Sequence, residues 1–232
     1  MKKEILLVGG SSGIGFKIAK NISQTHNVTV ASRNAGNLDE LNVRHLKFDV
    51  HHDNIEEMDL PEKLHGLVYC PGSISLKPFK MHRLEDFRKE MELNFFGLVK
   101  TVQAVMPRLR SAEEASLVFF STVAVKVGMP FHTSISAAKG AIEGFAKSLA
   151  AEYAPGLRVN VIAPSLTDTP LSEKLLNTEK KIESMKARHP LKRIGQVSDI
   201  ANLAQFLLSD ESGWITGQVM GIDGGLSTLN LS

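Results

Sequence analysis

Residues 5–15 read Ile5-Leu6-Leu7-Val8-Gly9-Gly10-Ser11-Ser12-Gly13-Ile14-Gly15. Four consecutive apolar residues fit a strand buried on both faces, and the glycines then mark a sharp turn into a helix that begins near Ile14. Such a turn needs positive-φ positions, which glycine adopts without a Cβ clash. Missing Cβ atoms also let a phosphate group approach the backbone, where exposed N–H groups and the helix dipole stabilise its charge. A glycine triplet by itself is a common turn. Set between a strand and a helix, it points to the pyrophosphate of a dinucleotide.

The pattern outward from this turn repeats its first step. Apolar strands are expected at 28–31, 45–48, 67–69, 117–120, 159–162 and 218–221, which with 5–8 makes seven. Amphipathic helices are expected between them. The longest spans 84–109, where Phe87, Met91, Leu98, Val102, Val105 and Leu109 recur at helical spacing; another spans 136–151, and a late one, capped by Ser198, carries Ile200, Leu203, Ala204, Leu207 and Leu208. Continuous apolar strands alternating with helices predict an α/β fold: a single Rossmann domain over 1–232 with a doubly wound, seven-stranded parallel sheet. The stretch from Thr167 to Pro190 is polar and rich in Lys and Glu. It reads equally as a substrate-side insertion over the sheet's carboxyl edge or as a solvated surface helix.

Composition narrows the function. The chain has 232 residues, 43% hydrophobic, with a formal charge of +2 from interspersed charges. No basic stripe suggests nucleic acid, and no run approaches the ~20 apolar residues of a membrane helix. The single cysteine, Cys70, excludes an internal disulfide and suits a reducing cytoplasm. As a lone thiol at a strand end it reads as a small buried hydrophobe rather than a redox group. Eight histidines show no helix-face pairing with carboxylates, and adjacent His51 and His52 point apart, so no metal site is expected. No Gly-x-Ser-x-Gly elbow is present for a serine hydrolase.

The spacing Gly-x-x-x-Gly-Ile-Gly resembles that of the classical short-chain dehydrogenase/reductase family. The resemblance recurs at Asp49-Val50, Asn94, Ser121-Thr122-Val123-Ala124, Ser136-Ala137-Ala138-Lys139-Gly140, Val159-Asn160-Val161-Ile162-Ala163-Pro164 and Ile215-Thr216-Gly217-Gln218. It covers nearly the whole chain and is strongest toward 3-oxoacyl-carrier-protein reductases. It implies cofactor contacts at Gly9, Ser11, Ser12, Gly13, Ile14 and Gly15, at Ser32 and Arg33, at Asp49 and Val50, and at Gly72, Lys139, Pro164, Leu166 and Thr167. The residue after strand two decides between cofactors: an acidic side chain there favours NAD. Here Ser32 stands at that position and Arg33 follows, whose planar fork suits the 2′-phosphate of NADP(H). Asp49 would accept from the adenine amino group, or else be a plain turn residue.

The same resemblance assigns the reaction's residues. Lys139 stands at the family's lysine, Asn94 at its relay asparagine, and Thr122 at its serine, with Ser121 just before. The proton-donating tyrosine position is Ile135, which has no proton to give. Tyr69 and Tyr153, the only tyrosines, fall away from the expected nicotinamide position. His132 reads first as a loop histidine in water. The family's Asn-Ala-Gly after strand four is Cys70-Pro71-Gly72 here, a second departure that removes a backbone donor. Two expectations follow: an NADP(H)-dependent oxidoreductase of a carbonyl or alcohol with an altered proton donor, or an NADP(H)-binding sensor or partner subunit without turnover. A homotetramer, or a homodimer, is also implied.

Overall fold

The computed structural model describes residues 2–230. Strands β1 (Glu4–Val8), β2 (Asn27–Ser32), β3 (Arg44–Lys47), β4 (Gly66–Tyr69), β5 (Ala115–Phe120), β6 (Leu157–Pro164) and β7 (Val219–Ile222) form one parallel sheet in the order β3-β2-β1-β4-β5-β6-β7. The order reverses between β1 and β4, the switch point at which open α/β sheets bind ligands.

Alternation along each strand builds two cores. Leu6 and Val8 of β1 face one side, and Ile5 and Leu7 the other. The register continues each row across the sheet: Leu6, Leu67, Leu117 and Val159 lie side by side, as do Val8, Tyr69, Phe119 and Val161. The first side is covered by helices α3 (Gly97–Arg110) and α5 (Thr133–Tyr153), the second by α1 (Gly13–Ile22) and α7 (Val197–Leu208). The remaining helices are α2 (Leu84–Met91), α4 (Val123–Val127) and α6 (Glu179–Arg188). None of the described helices is long and apolar enough to cross a membrane.

Three local features differ from the sequence expectation. The helix expected over 84–109 is interrupted: Glu92–Phe96 winds as a π-helix between α2 and α3, with the Gly97 N–H donating to the Glu92 carbonyl. Within this turn the Leu93 carbonyl accepts from the Tyr69 hydroxyl at 2.9 Å. Tyr69 is thus a buried clamp on the turn. A side chain at Gly97 would lie 2.5 Å from that hydroxyl, so the close approach requires glycine there. Second, α7 is capped not by Ser198 but at Gln196, whose N–H donates to Asp199 at 2.8 Å. Asp199 is itself held by a two-pronged ion pair with Arg193, which a serine at position 198 cannot offer. Third, α5 begins at Thr133, three residues before the expected start, so Ile135 and Lys139 share one helical face.

Candidate active site

The loops that leave the carboxyl ends of β1 to β6 enclose a cleft of about 810 Å³. The glycine turn forms its floor. Gly15 is buried where a Cβ would meet the Gly9 carbonyl at 2.3 Å, so helix and turn touch backbone to backbone. Gly13 has φ +54°. Ser12 begins α1 with extended backbone, yet its side chain bonds no amide and no acidic residue stands in the first turn. The opening amides of α1 therefore face the cleft without a built-in anion, which suits a phosphate.

Gly9, Ser11, Ser12, Gly13, Ile14 and Gly15 line the cleft together with Ser32, Arg33, Asp49, Val50, Gly72, Pro164, Leu166 and Thr167. Arg33 is exposed at the rim and pairs with no carboxylate among the described residues. Ser32 is buried, its hydroxyl donating to the Asn34 carbonyl at 2.8 Å. Asp49 closes the turn after β3, accepting from the His51 N–H at 3.0 Å while still bordering the cleft.

Thr122, Ser121, Ile135 and Lys139 line the same cleft. Thr122 caps α4, its oxygen accepting from the Ala124 N–H at 3.3 Å, so the hydroxyl proton is left to donate outward. Ser121 is differently engaged. Its hydroxyl donates to Glu143 at 2.5 Å, which ties the end of β5 to α5. Lys139 is buried, and burial lowers its ammonium from 10.5 to about 8, while Cys70 and Glu90 pull the other way. Burial also pushes the Cys70 thiol up to about 12, which leaves it an inert neutral group. Asn94 does not line the cleft. It lies fully buried behind Gly72, in the π-helical turn, with its side-chain carbonyl oxygen unpartnered. That oxygen and the Lys139 Nζ both come within 3.4 Å of the point where a Gly72 Cβ would sit.

Other cleft residues carry no sequence motif. Ser73 bonds to Asn94, as does Glu90 from outside the cleft, and Ser165 bonds at 2.8 Å to the Nε2 of His189, a buried histidine whose Nδ1 meets the Met185 carbonyl. Ser165 and His189 both face the cleft. The stretch 167–190 contains a 3-10 turn, Pro170–Leu175, and α6, and it contributes Leu171, Leu175, Met185 and Arg188 to the cleft wall. Hydrogen bonding that depends on the third dimension explains why these residues leave no signal in the chain.

A family model described as Enoyl-(Acyl carrier protein) reductase matches residues 8–227. A tropinone reductase homolog from Datura stramonium is 31% identical over 241 residues, covering 95% of this chain and 90% of its own length. The 3-oxoacyl-(acyl-carrier-protein) reductase FabG of Buchnera aphidicola is 28% identical over 240 residues and 97% of each chain. The solved structure of ElxO with NADP bound superimposes with a TM-score of 0.88 at 25% identity, over 99% of this chain and 100% of that one. Sequence match and sheet order agree, and the chain belongs to the short-chain dehydrogenase/reductase family of oxidoreductases.

Proposed function

We propose that this protein is an NADP(H)-dependent oxidoreductase of a small carbonyl or alcohol, working with an altered proton donor. The observation that carries the reading is a buried lysine amine and a free threonine hydroxyl on the wall of a cleft whose floor is an uncapped amide cradle. The residues fit the dinucleotide. Backbone amides of Gly9 to Gly15 would hold the pyrophosphate, and Arg33 the 2′-phosphate beside Ser32. Asp49 and Val50 would flank the adenine, Lys139 would bind the nicotinamide ribose, and Gly72, Pro164, Leu166 and Thr167 would border the nicotinamide. NADP bound to ElxO supports the same preference. When bound, the cofactor supplies or takes up the hydride.

The chain's own groups handle the oxygen. Thr122 donates a hydrogen bond to the substrate oxygen, and the Lys139 ammonium gives that oxygen its proton. Asn94, held away from solvent, supports the lysine's reprotonation. Residues 167–190 form the substrate-side wall, and their apolar members Leu171, Leu175 and Met185 favour a substrate with an apolar body. A homodimer or homotetramer is part of this reading.

One observation favours a second reading: Ile135 presents an apolar side chain where the family's resemblance expects an acid. An NADP(H)-binding sensor or partner subunit needs only the cradle.

Cofactor choice is tested by fluorescence titration. Arg33→Ala is expected to weaken NADPH binding by roughly 10–100-fold, the worth of a charge-assisted hydrogen bond, while NADH affinity stays within a factor of about two. Equal losses for both nucleotides would remove Arg33 from the 2′-phosphate.

A further inference from the structure

Glu90 lies in the last turn of α2 with only 6% of its surface exposed. A carboxylate leaves water at a cost of several kcal/mol unless hydrogen bonds replace its hydration. Here they do. The Ser73 hydroxyl and the Asn94 side-chain amide both donate to Oε2, the amide at 3.0 Å, and the same amide donates to the Glu90 backbone carbonyl at 2.9 Å. With its NH₂ fixed on Glu90, Asn94 must turn its carbonyl oxygen the other way, toward Lys139. That oxygen is buried and has no partner of its own.

The network is also a partition. Beyond it is a second cleft of about 470 Å³, which Glu90 lines together with His51, Glu85, Arg88, Lys89 and Glu92. Ser73 borders both clefts. Glu90 lines the second cleft, Ser73 lines both, and Asn94 Oδ1 and Lys139 Nζ converge on the gap beside Gly72. A hydroxyl passes a proton by accepting on one side and donating on the other; an amide oxygen can only orient a bridging water.

We propose that Glu90 returns to Lys139 the proton that Lys139 gives to the substrate, and recharges from solvent in the second cleft. The proposal rests on the oxidoreductase reading. Each carbonyl reduced takes a hydride at carbon and one proton at oxygen. The substrate O–H bond forms as a Lys139 N–H bond breaks, leaving a neutral amine. A new Lys139 N–H bond forms as the Glu90 carboxyl O–H breaks, with the Ser73 hydroxyl and one water each taking up a proton and passing one on. Glu90, a carboxylate at rest, takes that proton from solvent and is a carboxylate again once it has passed it on, so one proton is consumed per turnover. Alcohol oxidation runs the same chain outward. With Cys70 held neutral, Glu90 is the ionised group whose charge opposes the effect of burial on Lys139.

Two measurements test it. Lysine-selective ¹⁵N NMR of the cofactor-free protein reads the Lys139 titration. Glu90→Gln is expected to move its midpoint down from about 8 by on the order of one pH unit, since an opposite charge has been removed. An unchanged midpoint overturns the proposal. In NADPH turnover, Glu90→Gln is expected to lower kcat about 10²-fold, the low end for a positioned acid or base, with KM and NADPH affinity unmoved. The solvent deuterium isotope effect on kcat should rise, and Glu90→Asp should recover most of the rate. A parental kcat in folded Glu90→Gln also overturns the proposal. Should that variant not fold, Ser73→Ala decides: it keeps every charge, so a lower kcat with an unmoved Lys139 midpoint supports the chain of transfer, and a parental kcat sinks it. If the unaltered protein reduces no carbonyl at all, the oxidoreductase reading fails, whereas the NMR titration still passes or fails on its own.

Discussion

Ile135→Tyr is expected to raise kcat for carbonyl reduction by roughly 10²–10⁴-fold, the usual contribution of a positioned general acid. Position 135 lies in the first turn of α5, 5% exposed and on the cleft wall, one helical turn before Lys139. A phenol there would stand on the same face as the buried ammonium, whose charge favours the phenolate and so makes the phenol a better acid. Isoleucine has neither a proton nor an acceptor, so in the proposed reaction Lys139 and Thr122 serve the oxygen in its place. Because the substitution adds a group that acts on the transition state, KM and NADPH affinity should move little. NADPH consumption over a panel of aldehydes and ketones checks this. Turnover by both proteins, faster in the variant, supports the altered-donor enzyme. Turnover by the variant alone moves the natural protein to the sensor or partner-subunit reading. Equal, easily measured rates in both would mean that proton supply at position 135 does not limit the reaction.

The legible and illegible parts of this protein divide along a physical line. Strands such as Leu67-Val68-Tyr69 are buried on both faces, so their apolar runs are visible in the chain itself, and the glycine turn is visible because its backbone tolerates almost no Cβ. The π-helical turn is not visible. What meets it there is the Tyr69 hydroxyl, bonded to Leu93 and close to Gly97, from a residue far away in sequence. The periodicity of 84–109 carries straight through it. Glu90 is hidden for a related reason: an acidic residue among Glu85, Lys89 and Glu92 looks like one more solvated position, and only the tertiary placement of Ser73 and Asn94 reveals a buried carboxylate. Ser121 and Thr122 are adjacent and chemically alike, yet Glu143 engages one while the other caps α4 with its proton to offer. Residue type pointed to a candidate site; hydrogen-bond partners distinguish the side chains within it.

Lys139→Met should separate stability from activity in opposite directions. Loss of the buried ammonium removes the proposed proton donor, and kcat should fall by about 10²–10⁴-fold. The same ammonium strains the fold. Its folded value near 8 lies below the ordinary 10.5 because burial strips its hydration. Below pH 8 both folded and unfolded chains carry the charge, and the folded one holds it at a cost. From about pH 8 to 10.5 the unfolded chain binds a proton that the folded one has released, so stability rises with pH across that window. At about 1.4 kcal/mol per pH unit the gap corresponds to something on the order of 3 kcal/mol at neutral pH. A chain of this size gains about 2–4 °C of Tm per kcal/mol, so the methionine variant should melt several degrees higher at pH 7 and lose that advantage above pH 10.5. In the unaltered enzyme the reduction rate should decline tenfold per pH unit above about 8, as the donor empties, while alcohol oxidation gains over the same range. A variant that is less stable at pH 7 would mean that Glu90 and its neighbours hold the charge more favourably than water does, and the cleft would then be built to keep Lys139 protonated rather than to let it go.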